Sequence, residues 1–62
     1  MGLAEAMQLA ASRGCECSWD ATEQLYVIAP VSYDSDACSL TAARLAGISR
    51  EEFLELFIPD RP

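Results

Sequence analysis

Apolar residues recur three and four positions apart at the start of the chain. Leu3, Ala6, Met7 and Ala10 make one stripe, and Glu5, Gln8 and Ser12 lie opposite. That spacing predicts a helix over residues 2–13. Arg13 suits the negative end of its dipole, and Gly14 suits the left-handed stop that follows a helix. The period then falls from 3.6 to 2. In "CECSW", Cys15, Cys17 and Trp19 share one face, with Glu16 and Ser18 on the other. After the five-residue polar link "DATEQ" comes "LYVIAPV", with Leu25, Val27 and Ala29 on one face and Tyr26 and Ile28 on the other. The two runs predict a β-hairpin over 15–31. Pro30 has no amide proton for a ladder, so it closes or edges the second strand.

A two-stranded ribbon is unstable alone and has to lie on the helices. Residues 32–37 read as a polar loop. Beyond them Ser39 is placed to cap a helix over about 40–46, and Ser49 with Glu52 forms a capping box for a last helix that Pro59 ends. The remaining "DRP" reads as a frayed tail. The fold class is α+β, a single domain over 1–62: a helix in 1–14, a hairpin in 15–31, and a helix-turn-helix-like pair in 39–58. Counting Ser39 as the first place of a twenty-residue unit sets Ala43 at the fifth and Gly47 at the ninth. Small residues suit those places because two helices cross closely and the turn needs a positive φ. Ala42, Ala46, Ile48, Phe53 and Leu56 then face the shared core.

The segment "AARLAGISREEFLELF" resembles the helix-turn-helix of small prokaryotic antitoxins and of regulators of toxin–antitoxin operons. The likeness covers about a third of the chain and none of residues 1–38. It implies binding to DNA, to a toxin, or to both.

Charge bears on that choice. The chain has 62 residues with ten acidic side chains, four arginines, no lysine and no histidine, for a net charge of −6. Affinity for a phosphate backbone comes from cations that displace counterions. The places that would enter a DNA groove fall to Ser49, Arg50, Glu51, Leu54 and Glu55, of which Ser49 and Arg50 are typical contacts. Nucleic-acid binding is therefore expected to be weak, and the field favours a basic protein.

Other chemistry finds little support in the residues. Zinc wants four thiolates or imidazoles, usually in Cys-x₂₋₄-Cys pairs. Cys15 and Cys17 are one residue apart, Cys38 stands alone, and a site completed by Asp36 is a distant third reading. Asp34 and Asp36 lack the further oxygens and the placed glycine of a calcium loop. With no histidine and no glycine-rich phosphate loop, no catalytic set emerges and no cofactor is expected. An odd cysteine count without an export signal points to reduced thiols in a cytoplasm, and no apolar run reaches the roughly eighteen residues of a membrane span.

The last helix carries the strongest clue. Phe53, Leu56 and Phe57 make one stripe that Leu54 and Ile58 extend past half the circumference, wider than one small core requires. A chain of this size buries only about 60% of its unfolded surface and often relies on a partner or a second copy. The leading expectation is a non-enzymatic, antitoxin-like or inhibitor-like interaction protein. It would hold a basic partner through Phe53, Leu54, Phe57 and Ile58, with Glu51 and Glu55 steering association, or pair with itself as a homodimer. The second is a dimeric DNA-binding regulator using Ser49 and Arg50.

Overall fold

The computed structural model describes residues 1–61. The elements follow as α1 (Leu3–Ser12), β1 (Cys15–Asp20), β2 (Leu25–Pro30), β3 (Cys38–Leu40), α2 (Ala42–Gly47) and α3 (Arg50–Leu56). The three strands form one antiparallel sheet in the order β1-β2-β3. This is the α+β architecture that the alternating periods predict, with one strand more.

α1 stops where its sequence says it should. Arg13 is the C-cap, and the Arg13 and Gly14 amides donate to the carbonyls of Ala10 and Ala11 at 3.0 and 3.1 Å. Gly14 takes a φ of 76°, the left-handed region that glycine enters without steric cost. The turn lays α1 back over β1. Its buried positions are Ala6 and Ala10, whereas Leu3 and Met7, expected in the same stripe, are 41% and 49% exposed. The helix sits on the sheet through its small residues, and the larger ones on its flank stay outside.

The hairpin register decides which face of β2 is inside. Asp20 pairs with Leu25, so the loop has four residues and not five. The Asp20 carboxylate closes it by accepting from the Thr22 and Glu23 amides at 3.0 and 3.2 Å. One residue fewer in the link flips every side chain of the partner strand. Ile28 and Tyr26 therefore stand opposite Cys17 and Trp19 on the core face. Leu25 and Val27, which the five-residue link would place inside, lie on the outer face. Trp19 and Tyr26 meet edge-on with ring centroids 4.8 Å apart, the arrangement aromatic pairs prefer.

Gln24 closes the loop at φ 56°, a conformation that costs a residue with a Cβ about 1–2 kcal/mol. Glycine adopts it freely but loses about 0.5–1 kcal/mol of chain entropy. Gln24→Gly is thus expected to stabilise the fold by roughly 0.5–1 kcal/mol, read as a higher urea midpoint at unchanged slope. A lower midpoint would mean that the loop carries no strain.

The Val31 amide donates to the Gly14 carbonyl at 2.8 Å. By alternation, Glu16–Ala29, Ser18–Val27 and Asp20–Leu25 are the hydrogen-bonded pairs. The amides of Tyr26 and Ile28 then point to β3, where they oppose Leu40 and Cys38. Pro30 is next in that series and has no amide proton, so the β2–β3 ladder stops at three residues.

This third strand corrects the start of the helical pair. Ser39 lies inside β3, Leu40 is buried, and Thr41 caps α2, its hydroxyl accepting from the Arg44 amide at 3.1 Å. α2 ends through Ile48 and Ser49 in extended conformation, so Gly47 is not the left-handed turn residue that the twenty-residue count requires. Ala42, Ala43 and Ala46 are exposed, and Leu45 and Ile48 supply the buried contacts. The Met1 nitrogen reaches the carbonyls of Leu45 and Ala46 at 3.2 and 2.9 Å; that of Leu45 also accepts from the Ile48 amide at 3.4 Å, and that of Ala46 is one of those a helix end leaves without an intrahelical partner. α3 opens on Ser49 as expected: its hydroxyl accepts from the Glu52 amide and donates to the Glu52 carboxylate, both at 3.2 Å. Phe53 and Ile28, each fully buried, are the largest side chains in the centre of the core.

Candidate functional site

α3 presents its outer side to a groove of about 540 Å³ that runs between the helix, the segment after it and the end of α1. Four residues predicted for partner contact, Glu51, Leu54, Glu55 and Ile58, line it. The helical spacing places the first three on one side of α3. Ile58 follows from the short non-helical stretch after Phe57. The other two predicted contacts are elsewhere. Phe53 is wholly buried, because its position on α3 faces the sheet, and no partner can reach it. Phe57 is half-buried, with the Arg44 guanidinium 5.9 Å from its ring centroid. Leu56, expected inside, is 52% exposed.

The groove has an apolar floor of Leu54, Ile58 and Pro59 and a charged rim of Glu51, Glu55 and Asp60 facing Arg13 and Arg61. Arg61 is already engaged. Its guanidinium donates to the Arg13 carbonyl at 2.9 Å and lies 4.9 Å from the Tyr33 ring centroid, a cation–π distance. Within the expected frayed tail Arg61 is docked instead, because these contacts and the buried Pro59 hold it, and Pro62 lies outside the described residues. The three rim carboxylates have no such partner. Among the described residues the one ion pair is Arg50–Glu5 at 3.3 Å, which involves none of the three.

Tyr33 organises this end of the molecule, although in sequence it is only one residue of a polar loop. Its hydroxyl donates to the Pro59 carbonyl at 2.6 Å and lies 3.1 Å from the Cys15 sulfur. The bond to Cys15 is the main cause that pushes its pKa above the usual tyrosine value, with burial next. A lone aromatic within a polar loop was the available signal.

The DNA-facing candidates each have a contact within the chain. Ser49 is occupied in the α3 cap, and Arg50 pairs with Glu5 of α1. Both Arg50 and Glu5 are solvent-exposed enough, at 65% and 44%, that the pair contributes little to stability. The cysteines share the core face of the sheet. Burial pushes the Cys17 thiol up; Cys38 rises through burial, then through Asp60 and Cys15. Protonated thiols are poor nucleophiles and poor metal ligands at neutral pH. Among the described residues no three cysteine or carboxylate side chains gather where one ion could bind them. No helix among them is long and apolar enough to cross a membrane.

No protein-family model, curated protein or solved structure matches the chain.

Proposed function

We propose that this chain is a small acidic interaction protein, antitoxin-like or inhibitor-like, that grips a basic segment of a protein partner in the groove beside α3. The observation that carries the reading is the pairing of an apolar floor with three carboxylates that lack a cationic partner. An amphipathic segment with leucines on one side and arginines or lysines on the other matches both features. Glu51, Glu55 and Asp60 would steer it, and Leu54, Ile58 and Pro59 would take its apolar side. No covalent step or cofactor enters this mechanism; the chain would act by occluding the partner's surface. The overall charge of −6 speeds encounter with a basic surface and opposes one with nucleic acid.

The test uses a fluorescein-labelled helical peptide with leucines along one face and arginines along the other, titrated against the protein by anisotropy. Binding is expected to weaken with added salt and to fall by about tenfold or more in Glu51→Lys/Glu55→Lys. Both positions are exposed, so the fold should be unchanged by circular dichroism. Binding that survives this double reversal would remove the groove from the mechanism.

A further inference from the structure

We propose that two copies of this chain pair through the free edge of β1 and the outer flank of α1, joining their sheets into one of six strands. β1 is an edge strand, paired on one side only. Since Glu16, Ser18 and Asp20 bond to β2, the backbone groups of Cys15, Cys17 and Trp19 point outward from that edge. Natural edge strands are usually shortened, covered or protected by charge. This one is six residues long; its outer face carries Glu16 and Asp20, but the helix flank beside its other face is apolar.

The flank of α1 above the edge can be read from its own ion pair. Glu5 reaches Arg50, so the Glu5 side of α1 faces α3. At 100° per residue, Leu3, Met7 and Ala11 lie on the opposite side, over β1. That flank carries no charge, and all three residues are exposed. Trp19, half exposed at the far end of β1, continues it. Leu3, Met7 and Trp19 are three of the five large apolar side chains that the fold leaves outside.

The surface is complementary to itself. α1 runs back over β1 from the Gly14 turn, so Met7 stands roughly 7 Å from Ser12 and level with Cys17, roughly 7 Å along the strand from Cys15. A two-fold axis through Cys17 sets Cys17 against itself and Cys15 against Trp19 of the second copy, using every outward amide of the edge. The same axis brings the two Met7 side chains together, and the small Ala11 lets the helices approach to about 8 Å. Charge selects this register. Centring on Ser18 would set Glu16 against Asp20 at both ends, and like charges directly opposite are destabilising. Centring on Cys17 sets Glu16 against Ser18. A stable pair needs about 600 Å² from each copy, and one flank of a body 29 × 27 × 17 Å is of that order.

Salt separates this pairing from the groove. Each copy carries −6, so self-association should strengthen as salt screens the repulsion, opposite to capture of a basic segment.

The test is sedimentation of the untagged chain together with emission of Trp19, the single tryptophan. The expected result at about 100 µM is the mass of two chains. Trp19 emission should shift to the blue as concentration rises. Met7→Lys is expected to raise the dissociation constant at least tenfold with unchanged circular dichroism, and Ala11→Arg to do the same. If Met7→Lys fails to fold, Ala11→Arg decides alone. Glu51→Lys/Glu55→Lys reduces the repulsion between copies and should pair at least as tightly as the parent, while it loses the peptide, which keeps this result separate from the groove reading. A single-chain mass at that concentration overturns the pairing and leaves the edge to a foreign strand. So does a pair that both flank variants leave intact, or one that forms without a change at Trp19.

Discussion

Phe53→Ala is expected to leave the chain largely unfolded at room temperature. Phe53 is the largest side chain with no exposure, and it stands on α3 over the sheet face that carries Ile28. Truncating a buried phenylalanine costs about 3–5 kcal/mol, as lost transfer energy plus the cavity left behind. Domains are stable by only about 5–15 kcal/mol, and one of this length sits at the low end. The neighbouring residue supplies the control. Leu54 is half-buried on the groove floor, so Leu54→Asp should keep the helical circular dichroism and weaken peptide capture. Urea unfolding of the two variants measures the contrast. Equal losses would make Leu54 ordinary core and take the floor out of the proposed binding surface.

The same helix shows how far sequence reasoning reached. Its cap, its stop near Pro59 and the face bearing Glu51, Leu54 and Glu55 follow from local spacing and chemistry, and the structure reproduces them. So do α1 with its Gly14 turn and the hairpin, because each is long enough for its period to register. Failures begin where a local pattern is short or symmetric. Cys38–Leu40 is too brief for alternation to declare a strand, and the reason it forms lies in β2, whose free amides and terminal Pro30 set its position and length. β2 itself is apolar on both faces, so only the exact loop length tells Ile28 from Val27 as the inward residue. The helix-turn-helix count that puts Ala42, Ala46 and Leu56 inward starts at Ser39, two residues before the true cap. The floor and rim beyond α3 were illegible for another reason. Tyr33, Pro59 and Arg61 meet only through tertiary contacts, and none belongs to a periodic run.

Gly14→Ala should be the second most damaging single change, at roughly 2–4 kcal/mol. Two terms combine. At φ 76° an alanine sits in the left-handed region, which costs about 1–2 kcal/mol. Its Cβ would also fall on the Ser32 hydroxyl and lie 3.3 Å from the Ser32 Cβ. Ser32 has little room to yield, because its amide and hydroxyl both bond to the Gly14 carbonyl, at 3.1 and 3.4 Å, beside the Val31 amide. That carbonyl therefore ties the α1–β1 turn to the exit of β2, next to the Arg13 carbonyl that holds Arg61. Disturbing it is expected to loosen the docked tail as well as the turn. Gly14→Ala/Ser32→Gly removes the collision and keeps the strained φ, so urea unfolding should return part of the loss. If the double variant recovers nothing, the whole cost lies in the backbone conformation. If Gly14→Ala itself is as stable as the parent, the turn does not require glycine, and the joint it forms between α1, β2 and the tail is not what orients α1 over β1.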